Sequence, residues 1–212
     1  MSLLYRTLLI LFWTFVIGLS LWFFFDNIIM IFFGYRISIF GDSLFNNQVW
    51  VVMHLIGGTF ALLLGPLQFW KRLRNKFLKF HRTSGKLYMI GVLLAGISAL
   101  RLGLISYCGP CRISLLILTI LALLSTWFAW KTIKAKNVTA HRQFMIRSYI
   151  CILAFVMVRL DNVIPLGFIF GQIEDPIFNR TVNEYFFSFV SLLVAEILMV
   201  WIPGSQSKIK SA

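Results

Sequence analysis

Acidic residues are scarce in this chain: seven Asp and Glu stand against 20 Lys and Arg in 212 residues. Charged residues of both signs make up only 13% of the sequence, where a soluble domain carries about 25%. That shortfall excludes an ordinary soluble fold. Three cysteines are too few for a disulfide-rich framework. Three histidines fall short of the four imidazoles that two stacked bis-histidine haems require, which argues against a self-contained transmembrane electron wire. Low-complexity linkers are missing, and the connections are too short to hold a soluble domain. Nor is there a nucleophile–base–orienter set of the kind a hydrolase uses.

What the chain has in excess is apolar surface, with 59% hydrophobic and 17% aromatic residues. It is gathered into stretches able to cross a bilayer, which takes roughly 20 residues of helix. The expected spans are 7–33, 49–70, 87–106, 113–131, 146–169 and 184–203. The opening stretch is longer than a signal-peptide core of about 7–15 residues and lacks a clean cleavage site, so it reads as a retained first helix. The expectation is an all-α polytopic membrane protein, a six-helix bundle forming one integral membrane domain over residues 1–212.

The charge distribution orients that bundle. "KRLRNKFLKFHRTSGK" (71–86) holds seven basic residues and "KTIKAKNVTAHRQFMIR" (131–147) holds five, with no acid in either. Arg6, Lys208 and Lys210 fall on the same side when six spans are threaded. The positive-inside rule makes that side cytoplasmic, with both termini there, in a bacterial inner membrane. The basic runs therefore read as topology signals that touch anionic lipid headgroups rather than nucleic acid.

Several polar residues inside the spans need a reason, because charge in a membrane is costly and commonly faces a bundle interior or cavity. Asp26, His54, Arg101, Arg159 and Asp161 fall in the outer half. Arg101 lies about 15 residues, or ~22 Å, up the third span. Glu196 lies nearer the midplane and is a partner for Arg159. Gln68 follows Gly65 and Pro66, where proline should bend or end the second helix. These residues either line a pocket for a small ligand or tie helices together.

A second pattern occupies the cytoplasmic side. "FHRTSGKLYMIG" (80–91) and "AHRQFMIRSYI" (140–150) each carry a His-Arg pair, then a basic residue and a tyrosine. The residues are His81, Arg82, Lys86 and Tyr88 in one, and His141, Arg142, Arg147 and Tyr149 in the other. Two neutral imidazoles can ligate a b-type haem iron, with basic side chains beside its propionates. They can also hold another metal with a third ligand, relay protons, or simply contact lipid phosphates.

The motif "YCGPCR" (107–112) lies in an outer connection. Cys108 and Cys111 form a plain turn, a structural disulfide or an exchange-active dithiol; two thiols alone leave zinc short of ligands. Gly109-Pro110 suits a tight helical hairpin. Arg112 beside Cys111 keeps thiol reactivity open, while Cys151 is too distant to join the pair. The other outer connections are 34–48 and 170–183, the latter with a weak glycosylation match, "NRT", at 179–181.

"GGTFALLLGPLQFW" after His54, "HRTSGKLY" and "HRQFMIRSY" together resemble the bacterial multi-pass membrane proteins grouped as domain of unknown function 2306. The likeness covers about residues 50–165. It implies an integral membrane protein without an assigned activity, with His54, Gly65, Pro66, Gln68, His81, Arg82, Gly85, Tyr88, His141, Arg142, Arg147 and Tyr149 as site candidates. A looser analogy connects the helix number and histidine use to cytochrome b-type transmembrane reductases. Three functions remain open: a redox protein with one b-type haem exchanging electrons with a quinone, a transporter or small-ligand protein, and a structural or assembly factor.

Overall fold

A computed structural model describes residues 3–29, 47–106, 108–158, 171 and 173–201. Among these the regular structure is entirely helical. The elements are α1 (Leu3–Phe23, continued by a π-helical stretch Phe24–Ile29), α2 (Gln48–Phe69), α3 (Lys71–Lys76), α4 (Leu78–Leu104), α5 (Gly109–Lys134), α6 (Val138–Met157) and α7 (Pro176–Trp201). Helix is what an apolar surrounding demands, since it satisfies backbone N–H and C=O groups within the segment.

Among the described residues, α2, α4, α5 and α7 are each long and apolar enough to cross a membrane. The N-terminal helix adds a shorter apolar segment, Ile10–Asp26. The expected span at 146–169 begins within α6 and runs on into 159–170, outside the described residues.

The side-chain pattern is the reverse of a soluble helix. On α5 the buried positions are Cys111, Ser114, Leu118, Thr119, Ala122, Ser125, Thr126 and Ala129. Its exposed positions include Ile113, Ile117, Ile120, Leu124 and Trp127. Small and hydroxylated residues face the neighbours while large apolar ones face outward, as expected where lipid is the solvent. Many of these hydroxyls are satisfied within their own helix: Thr59, Ser98, Thr119 and Thr126 bond the carbonyl four residues back at 2.7, 2.7, 2.7 and 2.8 Å.

Helix ends differ from the expected ones in two places. The end of α2 matches the expected span 49–70: the helix runs through Pro66 to Phe69, and Trp70 leaves the helical region at φ −75, ψ 98. The basic stretch 71–86 is mostly helical rather than a connection: α3 takes 71–76, and α4 begins at Leu78 after a break at Phe77. Gly109 and Pro110 open α5 instead of making the turn, with Cys108 as its N-cap, a position where proline's missing N–H is harmless. Similarly, α7 starts at Pro176, where the Asp175 carboxylate accepts from the N–H groups of Ile177 (3.1 Å) and Phe178 (3.3 Å). The "NRT" stretch is therefore helical.

The chain packs as two compact units, Met1–Leu102 and Gly103–Ala212. In the first, α2 and α4 approach backbone to backbone at Gly57 and Gly91. A Cβ on Gly57 would sit 2.6 Å from both Ala95 N and Gly91 O, and one on Gly91 would sit 2.7 Å from Gly57 O. Neighbouring Gly58 has nothing within 4 Å of such a Cβ. In the second unit α5 and α6 form an antiparallel pair joined by Ala135–Asn137, with Lys136 at φ 58.

The adjacent glycines give a sharp contrast. Gly57→Ala should lower the melting temperature in detergent markedly, since helix backbones cannot yield as flexible side chains do. Overpacking of this kind costs about 1–3 kcal/mol or more. Gly58→Ala should be neutral or slightly stabilising, because alanine is the better helix former by about 1 kcal/mol. Equal effects would show that this close approach is absent.

Candidate functional site

The functional candidates resolve into ties between helices. In the first unit His54, half-buried on α2, donates from Nδ1 to the carbonyl oxygen of Ala95 on α4 at 3.0 Å. The same carbonyl accepts from the Ser98 hydroxyl at 2.9 Å. Nearly four turns along α2, buried Gln68 donates from Nε2 to Ser84 Oγ at 2.9 Å, and Ser84 donates on to Phe80 O at 2.8 Å. The absence of a side chain at Gly85 lets Gln68 Oε1 lie 3.0 Å from where a Cβ would be. Gln68 and Gly85, both singled out by the family resemblance, therefore meet in one contact.

In the second unit His141, in the first turn of α6, donates from Nδ1 to Ala129 O on α5 at 2.8 Å. Asn137 caps that turn by accepting from Ala140 N at 3.0 Å. Thr126 and Ser148 bring their hydroxyls to 2.7 Å across the α5/α6 seam. Arg147 forms a two-pronged ion pair with Glu196 of α7: Nε donates to Oε1 and Nη2 to Oε2, the latter at 2.8 Å. The Phe144 ring lies 5.2 Å from the guanidinium, which adds a cation–π contact.

A carbonyl oxygen only accepts, so both histidine contacts assign the proton. In neutral His54 and His141 the hydrogen sits on Nδ1, and Nε2 carries the lone pair. A hydrogen bond from the other ring nitrogen to a backbone carbonyl is also how metal-ligating histidines are oriented. His81 is half-buried at the start of α4, with exposed Arg82 beside it, and Tyr88 and Tyr149 are buried. Arg142 next to His141 is exposed.

The residues expected around an outer pocket take several environments. Arg101 is exposed on α4, Asp26 is half-buried in the π-helical stretch, and Gln68 and Glu196 are engaged in the contacts above. The partner of Glu196 is Arg147 rather than the expected Arg159. Arg159 and Asp161 lie outside the described residues. A cavity of about 470 Å³ does occur in the first unit, but it is an apolar groove lined by Gln48, Val49, Val52, Met53, Ile56 and Leu94. Among the described residues no three His, Cys, Asp or Glu side chains are grouped as metal ligands.

Cys108 and Cys111 are joined in a disulfide with their Cα atoms 5.3 Å apart, while Cys151 is free and buried. Sequence reasoning passed over Thr181, whose hydroxyl lies 3.8 and 3.7 Å from the two sulfurs. The glycosylation-like "NRT" marks its position but not this contact. Ser84 and Thr126 were also missed, since a serine or threonine that bonds within its own helix leaves no pattern in the sequence.

The helices and their inverted amphipathicity define an integral membrane protein. The sequence further matches, over residues 51–199, the family described as "Predicted membrane protein (DUF2306)". The chain belongs to that family, and the match extends past the expected 50–165 core to include Thr181 and Glu196. No curated protein and no solved structure matches it.

The Arg147–Glu196 pair makes a testable claim about cost. Either Arg147→Met or Glu196→Leu alone strands a charge in an apolar seam. The side chains retain 19% and 33% exposure, so the loss should fall toward or below the lower end of the ~3–5 kcal/mol seen for fully buried pairs. The double variant should recover much of it. Strictly additive melting temperatures across the four proteins would contradict the pairing.

Proposed function

We propose that this integral membrane protein is a redox component that binds one b-type haem near its cytoplasmic face and exchanges electrons with a membrane quinone, and that His141 would hold the haem iron. The observation that carries this reading is the Nδ1–H bond from His141 to Ala129 O. It fixes the tautomer whose Nε2 can donate a lone pair to iron, and it orients the ring from a helix terminus. A free imidazole would have to be ordered on binding; this one already is.

The surrounding residues fit the same group. Arg142 adjoins His141 and is exposed, so its guanidinium can reach a propionate. Arg147, named with it from the sequence, is held by Glu196 and serves instead to anchor α6 to α7. The repeated His-Arg pattern of the sequence also names His81, followed by exposed Arg82, in the first unit. Haem, when bound, supplies the one-electron chemistry; the protein's part is to fix ligand geometry and balance charge.

Protein purified in mild detergent from haem-replete cells should show a Soret band. His141→Ala should remove or shift it. Arg142→Ala should weaken haem retention without abolishing the band. A colourless preparation that also fails to take up added haemin would overturn the reading.

A further inference from the structure

The disulfide at the start of α5 has chemistry beyond that of a staple. Cys108 is the N-cap of α5 and Cys111 lies in its first turn, and both side chains are wholly buried, at 0% exposure. Against both sulfurs stands one polar atom, Thr181 Oγ1 of α7, at 3.8 Å from Cys108 Sγ and 3.7 Å from Cys111 Sγ. The Thr181 hydroxyl has a single proton, and it goes to Ile177 O at 2.7 Å. Toward the sulfurs Thr181 can therefore only accept.

A disulfide has no proton to give, so in the oxidised state this acceptor meets two sulfurs that cannot donate. Reduction changes that. Each thiol gains an S–H, and the same oxygen lies within reach of either one. The arrangement favours the dithiol relative to a site lined only by carbon. We propose that Cys108 and Cys111 form a redox-active pair that cycles between disulfide and dithiol by exchange with a dithiol reductant, with Thr181 as a positioning residue that stabilises the reduced form.

The exchange follows ordinary thiol–disulfide chemistry. A reductant thiolate attacks one sulfur, the Cys108–Cys111 bond breaks, and a mixed disulfide forms. The second reductant thiol then displaces it. Two electrons and two protons pass to the pair, and the reductant leaves as its own disulfide. Because both sulfurs are covered, attack requires the first turns of α7 to part from the start of α5. Among the described residues the polar contacts there include the two long sulfur–oxygen contacts, a bond from Tyr185 OH to Pro110 O at 3.3 Å and, a turn further along, one from Ser114 Oγ to Ser188 Oγ at 3.4 Å. Arg112, the nearest cation in sequence, points its Nε to Ser106 O at 2.8 Å and helps close the turn before α5.

The test uses the full-length protein in detergent, equilibrated with graded ratios of reduced to oxidised dithiothreitol, quenched in acid, denatured and alkylated for thiol counting by mass. Two thiols should appear together while the melting transition and gel-filtration elution stay those of folded protein. Cys151 should contribute one constant thiol throughout. Thr181→Val should raise the reductant ratio needed at the midpoint by about two- to tenfold, the value of one modest hydrogen bond. Thr181→Ser, which keeps the acceptor, should titrate like the unaltered protein. A pair that stays oxidised until the protein unfolds would overturn the proposal. So would Thr181→Val titrating at the unaltered midpoint.

Discussion

A polar hydrogen inside an apolar helix bundle must find an acceptor, and the helix backbone has largely used its own. This constraint organises the described structure. At four positions an imidazole, an amide or a guanidinium on one helix reaches to another helix and finds a carbonyl, hydroxyl or carboxylate there. His54 reaches Ala95 O, Gln68 reaches Ser84, His141 reaches Ala129 O and Arg147 reaches Glu196. Hydroxyls with no such partner turn back on the preceding turn of their own helix. Small residues do the complementary work: at Gly57 and Gly91 they let backbones approach closely enough for the longer polar side chains nearby to span the gap.

The same constraint separates structural from functional polarity. Gln68 and Arg147 are engaged as donors and Glu196 as an acceptor, so they hold helices together. His141 differs because its tie through Nδ1 leaves a lone pair on Nε2. One side chain can thus serve packing and binding at once. The cysteine pair presents the inverse case, an acceptor at Thr181 placed where only the reduced form has hydrogens to offer.

Much of this was legible from the sequence. Few acids, segregated basic runs and apolar stretches near bilayer length identified a helical membrane protein, and three spaced motifs identified its family. His54, Gln68, His81, His141 and the cysteine pair were all conspicuous as polar or reactive groups beside apolar runs. Helix ends were harder to read. Basic residues at 78–86 look like a loop, yet long lysine and arginine side chains let the helix continue while their charges stay exposed. Pro66 loses one backbone bond without ending its helix. Pairings were the least legible, because Arg147 and Glu196 are far apart in sequence and meet only through packing of α6 against α7. No periodicity encodes that choice, and Arg159 was an equally reasonable partner on paper.

The account rests most directly on the protonation of two imidazoles. Nitrogen NMR of the protein labelled with ¹⁵N-histidine, with His54→Leu and His141→Leu to assign signals, reads the state of each ring nitrogen. At a pH where the rings are neutral, His54 and His141 should each show a protonated Nδ1 and a lone-pair Nε2. Signals of the opposite tautomer, with the proton on Nε2, would contradict the helix ties and remove the basis for His141 as a ligand.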